Sequence, residues 1–144
     1  MWSDTLLAAE RAHLIRLAIW AMTSAMMGTL LVAFISVRRT NAPIIFWFSL
    51  QTMAWGLLEL VVSATRWFSL SMRDVAAAAR LDRLTWFVIG LDVGVVAVGV
   101  VASLIAWRFG RRLAAFGGGL GVAVQGLGLL VLDLTFASVL TRLV

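Results

Sequence analysis

Several residue types that carry enzyme chemistry are missing from this sequence. The chain has no cysteine, no tyrosine and no lysine, and it has a single histidine, His13. Without cysteine there is no disulfide, no thiolate nucleophile and no thiolate metal ligand. Because few catalytic acids, bases and nucleophiles remain, we expect a protein that is not an enzyme and that holds no cofactor or metal. We interpret His13 as an interfacial side chain, since a haem or metal site would need further ligands.

Charged residues are also scarce, at 13% of the chain, while 62% of residues are hydrophobic. The mean hydropathy of +1.02 is far above that of soluble domains. Four apolar runs are each long enough to cross a bilayer as a helix. They occupy residues 14–37, 44–65, 86–107 and 114–140. The sequence therefore predicts one all-α membrane domain over residues 1–144, built from two hairpins. The apolar and polar residues do not alternate as they do in membrane β-strands.

Two further helices are expected outside the apolar runs. Ser3 or Asp4 can cap a short N-terminal helix that lies at the interface or leads into the first crossing. Between the second and third runs, Ser71 and Asp74 precede residues 76–79, which are alanines of high helix propensity. We expect an amphipathic surface helix here that leads into the third crossing.

The net charge of +5 comes from arginines that lie almost entirely at the ends of the runs. This distribution is typical of membrane topology and lipid headgroup contact, and we expect the lipid bilayer as a partner and no nucleic acid. The count of arginines slightly favours cytoplasmic termini, although their density on the opposite surface favours the reverse orientation. We predict a multi-pass protein of the bacterial inner membrane with both termini in the cytoplasm.

Three acids lie inside the apolar runs, where a carboxylate that faces lipid costs roughly 3 kcal/mol or more. They are Glu59, Asp92 and Asp133, one in each of the last three runs. At 1.5 Å per residue, each lies about 9 to 13 Å from the same membrane surface. Hairpin topology should therefore bring the three carboxyl groups together.

Two glutamines precede two of the acids at the same spacing, and two arginines near the ends of the runs could neutralise the acids. Gln51 and Gln125 each precede an acid by eight residues, which suggests a duplicated hairpin, with coincidence as the alternative. Arg16 and Arg66 are candidate counter-charges. Three interpretations stay open: a structural network of protonated and paired acids, a proton or cation site, and acids that face a partner subunit.

Glycine is abundant in the third and fourth runs. We expect helix packing at Gly90 and Gly94, a GxxxG pair, and at Gly117, Gly121 and Gly126 in the fourth run. The alternative to a packing role for the glycine cluster is a break in the helix backbone at residues 117–119.

Three motifs resemble those of a bacterial family of small four-helix membrane proteins of unknown function. They are Gln-x3-Trp-Gly at residues 51–56, Gly-Leu-Asp-Val-Gly at residues 90–94, and Gly-x-Gly-x3-Gln-Gly with a later Asp-Leu at residues 119–134. The resemblance implies the four-helix architecture and no particular activity. The family pattern has asparagine and tyrosine where this chain has Val88 and Val95, which favours a structural network over a ligand site.

These observations favour a structural or accessory subunit, or an assembly partner, in a larger membrane complex, with self-association as a homo-oligomer also open. The glycine-rich helix faces, the small size and the scarcity of polar side chains support the role of a subunit or assembly partner. The alternative is a small proton- or cation-coupled transporter or channel built around the three acids. An intramembrane aspartyl protease is disfavoured, since its Gly-x-Gly-Asp signature would need glycine at Leu91.

Overall fold

The computed structural model describes residues 2–143, which form four α-helices without a strand. The helices are α1 Trp2–Arg38, α2 Pro43–Phe68, α3 Val75–Arg108 and α4 Leu113–Leu143. Each is long and apolar enough to cross a membrane. The predicted all-helical fold is therefore confirmed, and the chain has the composition of a multi-pass membrane protein.

The two short helices expected outside the apolar runs are not separate elements, because each continues without a break into an apolar run, as the alternative of a helix leading into the crossing has it. The N-terminal segment is the first part of α1, and the segment after Asp74 is the first part of α3. Asp74 does act as a cap, because its side chain accepts a hydrogen bond of 2.7 Å from the Ala77 N–H. Neither segment contains the proline or glycine that would end a helix before the apolar run begins.

Helix α4 is the central element of the fold. It packs against α1, α2 and α3, and α1 packs along α2. The backbone of α3 approaches only that of α4 among the described helices. Its first turn also meets α1 through side chains, where Ala78 and Leu6 join a small cluster with Phe136 and Leu140. The bundle is therefore open between α2 and α3.

Small residues allow the closest approaches between helices. A Cβ at Gly28 of α1 would overlap the α2 backbone at Ser49 and Met53. A Cβ at Gly99 of α3 would likewise overlap the α4 backbone at Ala123. Backbones this close gain van der Waals contact that larger side chains would prevent.

The glycines of α4 lie at such contacts as well. Gly117 lies against the backbone of Ile44, Gly121 against Phe48 and Gln51, and Gly126 against Val95 and Val96 of α3. Helix α4 continues unbroken through residues 117–119, so the alternative of a broken helix does not hold.

Gly90 and Gly94 do not pack against another helix within residues 2–143, and packing of this GxxxG pair against a second chain stays a prediction. Both are exposed, and a Cβ at either position would have no neighbour within 4 Å. The reason is the burial of Asp92, which points toward α4. Two residues along a helix rotate the side chain by about 160°, so the glycines before and after Asp92 face outward.

We expect Gly99→Val to lower the free energy of unfolding by about 1–3 kcal/mol, because the new side chain would push α3 away from α4. The measurement is far-UV circular dichroism during titration of the detergent-solubilised protein with sodium dodecyl sulfate. Gly94→Val is the matched control, since it lies on the same helix and faces open space. Equal losses for the two variants would contradict the packing described above.

Candidate functional site

Asp133 lies at the centre of a buried polar cluster. Its Oδ1 is 3.1 Å from Nε2 of His13, which is carried by α1. The His13 ring stacks on Phe136 of α4, with ring centroids 4.2 Å apart and planes inclined by 9°. His13 and Asp133 are 3% and 6% exposed. The stacking and the pairing together hold α1 against α4.

Asp92 and Glu59 lie beside this pair. The carboxyl group of Asp92 lies near that of Asp133 and interacts with it electrostatically. Glu59 is half-buried and interacts electrostatically with Asp133 and with Arg66. The structure thus brings together the three acids that the sequence places at one level.

Two atoms of the cluster are buried without a hydrogen-bond partner in the described chain. They are Oδ2 of Asp92 and Nδ1 of His13. Buried polar atoms are nearly always paired, and an unpaired one costs about 1–3 kcal/mol. A carboxyl oxygen in this situation has the capacity to take a proton or to accept a bond from a donor. Asp92 and His13 therefore each have one buried polar atom that is available to a further partner.

The two glutamines lie apart from the acids. Gln125 is 2% exposed and accepts a hydrogen bond of 3.1 Å from Trp20 Nε1. Its Nε2 donates to the Ser24 hydroxyl at 3.2 Å, so it connects α4 to α1. Gln51 contacts Gly121 of α4 and makes no hydrogen bond to another described side chain. Neither amide serves the carboxyl groups directly.

The counter-charges differ from those expected. Arg66 interacts with Glu59, as proposed from the sequence, whereas Arg16 is exposed and forms no ion pair within residues 2–143. The group paired with Asp133 is His13, so its interpretation as an interfacial side chain is wrong. Helical spacing could have revealed its burial, because it shares one stripe of α1 with other buried residues. That stripe consists of Leu6, Glu10, His13, Leu17, Ala21 and Ser24.

A second, partly buried ion pair lies one turn before His13. The Arg73 guanidinium donates two hydrogen bonds to the Glu10 carboxylate, from Nη2 at 2.6 Å and from Nε at 3.0 Å. These bonds raise the pKa of Arg73 above its usual value. Sequence analysis missed this pair, which fastens the segment between α2 and α3 to α1.

Comparison with known proteins identifies the family of this chain. The profile of a family of unknown function, DUF6992, matches residues 16–134, which include the three acids and both glutamines. The chain belongs to DUF6992. No curated protein and no solved structure matches this DUF6992 chain. The predicted membership of a family of unknown function is therefore confirmed, and the family supplies no activity.

His13 and Glu10 lie before the part of the chain that the DUF6992 profile matches. The partner of Asp133 is thus supplied from outside the matched range. Within residues 2–143, no three His, Asp or Glu side chains are arranged to hold a metal ion.

We expect His13→Phe to lower the free energy of unfolding of this DUF6992 protein by about 3–5 kcal/mol, because Asp133 stays buried without its partner. Phenylalanine keeps a ring against Phe136, which limits the loss of packing. Detergent titration followed by circular dichroism measures the change.

Two further variants test the cause of that loss. Asp92→Asn should recover about 1 kcal/mol or more in the double variant, since it removes the acid beside the unpaired Asp133. Arg16→Gln should change little. A loss for His13→Phe no larger than that for Arg16→Gln would refute the proposed pairing.

Proposed function

We propose that this protein is a non-enzymatic accessory subunit or assembly partner in a larger membrane complex. In this proposal the chain crosses the bacterial inner membrane four times as two hairpins, α1 with α2 and α3 with α4, and both termini are cytoplasmic. The extensive packing of each consecutive pair supports the hairpins. The small size and the sparse catalytic chemistry of the sequence support the absence of enzyme activity.

The position of Gln51 is the observation that carries this proposal. Its side chain lines an open groove between α2 and α3, with α4 as the floor. The residue is about 12 Å along α2 from Pro43, which places it within the apolar part of the helix. Polar side chains at such depth normally face a bundle interior or a polar partner. A helix of another subunit in the groove would supply that partner.

The shape of the groove suits a helix. Its volume is about 460 Å³. Small residues make up most of its surface on α3 and α4, and they would let a further backbone approach closely. They are Ala102, Ala114, Ala115 and Gly118, whereas Gly99 and Gly119 are already in contact with each other's helix. Because α3 packs along α4 alone, an added helix would give α3 the second neighbour that it lacks in this chain.

Site-specific photocrosslinking in native membranes tests this proposal. A benzophenone side chain at Ala102, inside the groove, should crosslink to a polypeptide. The same group at Leu104, exposed on another face of α3, should give lipid adducts only. Gln51→Leu should weaken the crosslink from Ala102 severalfold, because the amide would no longer bind its partner.

The products distinguish the possible occupants. A product of twice the mass of the chain would identify a second copy, and a different mass would identify another subunit. Lipid adducts alone from both positions would contradict the proposal.

A proton-coupled transporter or channel is the second candidate function. The observation that favours it is the unpaired Oδ2 of Asp92, an atom of a carboxyl group that interacts with both Asp133 and Glu59. A proton taken up there has two neighbouring carboxyl groups to which it can pass. Glu59 in turn interacts with Arg66, which lies near the end of α2.

For this second candidate, we expect proton flux into liposomes that contain the protein and a pH-sensitive dye. Asp92→Asn should reduce the flux about tenfold or more, because it removes a member of the proton path. Asp82→Asn is the matched control, a change of the same chemistry about 15 Å earlier on α3, and it should retain the flux. Indistinguishable fluxes from wild type and Asp92→Asn would eliminate this function.

A further inference from the structure

A polar cavity and an apolar groove adjoin at the surface where α2 ends and α3 begins. The cavity has a volume of about 370 Å³, and the groove one of about 360 Å³. Leu14 of α1 lines both. The cavity also has Glu10, Arg66, Ser69, Arg73, Ala77, Arg80, Leu81, Leu84 and Thr85 in its wall. The two spaces therefore adjoin at Leu14 and differ in chemistry.

The cavity carries positive charge that the chain does not neutralise. Arg66, Arg73 and Arg80 line it, and Glu10 is its one acid. Glu10 uses both carboxylate oxygens to bind Arg73. The guanidinium groups of Arg66 and Arg80 form no hydrogen bond or ion pair with the rest of residues 2–143, although Glu59 lies within electrostatic range of Arg66. The free donors of two arginines thus face one cavity.

The groove, in contrast to the cavity, is lined by apolar side chains. Helix α1 contributes Leu14, Ile15, Ala18, Ile19 and Met22, and α2 contributes Leu60, Ser63, Ala64, Trp67 and Phe68. The single hydroxyl in this set, that of Ser63, donates to the Glu59 carbonyl at 2.7 Å and is satisfied within its own helix. From Leu60 to Trp67 the groove extends about 10 Å along α2, which suits a length of hydrocarbon chain.

We propose that the cavity and the groove together bind one anionic phospholipid. Its phosphate group lies between Arg66 and Arg80, and one acyl chain lies in the groove between α1 and α2. Arginine presents parallel N–H groups that match two phosphate oxygens. Basic pockets between transmembrane helices are known to take anionic headgroups. The site requires only that the four helices lie in a bilayer, and it is independent of the partner proposed for Gln51.

Quenching of Trp67 by brominated lipids tests this site in reconstituted vesicles. The Trp67 signal is the difference in fluorescence between wild type and Trp67→Phe. We expect brominated phosphatidylglycerol to quench this signal several times more strongly than brominated phosphatidylcholine at equal mole fraction. Arg66→Gln with Arg80→Gln should abolish the preference. Arg11→Gln with Arg83→Gln removes the same charge from exposed positions outside the cavity, and it should keep the preference.

Two further measurements test the acyl-chain groove and distinguish a lipid headgroup from free phosphate. Ala64→Phe fills the groove and should reduce quenching by phosphatidylglycerol to the level of phosphatidylcholine, even if the arginine variants do not fold. Excess inorganic phosphate should leave the preference in place. Any of three results would overturn the proposal. They are equal quenching of wild type by both lipids, equal loss of the phosphatidylglycerol preference in the two double arginine variants, and loss of that preference when inorganic phosphate is added.

Discussion

A carboxylate inside an apolar bundle has to be paired, and the pairing of Asp133 with His13 organises this protein. The contact of 3.1 Å joins the central helix α4 to α1, and the stacking of His13 on Phe136 fixes the rotation of both helices. Asp92 must then face the same point from α3, because its carboxyl group interacts with that of Asp133. One buried charge therefore sets the orientation of three helices.

The orientation of α3 leaves the other side of the bundle incomplete. With Asp92 and Gly99 turned to α4, the backbone of α3 does not approach α2, and the groove that contains Gln51 stays open. The two halves of the molecule consequently differ in character. Toward one end of the bundle Asp133 and Glu10 pair with side chains of other segments, whereas toward the other end the amide of Gln51 faces an open groove lined by small residues.

Composition and run length were sufficient to predict four membrane-type helices, and hairpin topology was sufficient to place three acids at one level. The rotation of each helix about its axis was harder to predict. The GxxxG spacing suggested that Gly90 and Gly94 pack, yet burial of Asp92 turns them outward by about 160°. His13 was misread because a lone histidine carries no spacing signal of its own, and only the buried stripe of α1 indicates its place. Contacts between distant segments, such as Glu10 with Arg73, follow from tertiary packing rather than local sequence.

The unequal lengths of the helices affect how the protein sits in a bilayer. Helix α1 has 37 residues and α2 has 26, so their lengths are about 55 and 39 Å, against roughly 30 Å of hydrocarbon. The excess of α1 and α3 belongs to the same end of the molecule, where the Glu10 ion pair and the cluster around Leu6 hold them together. In the proposed membrane arrangement, that end extends beyond the hydrocarbon as packed helices instead of loops, so a molecule that arrives from that side meets side chains whose positions are set by helix packing.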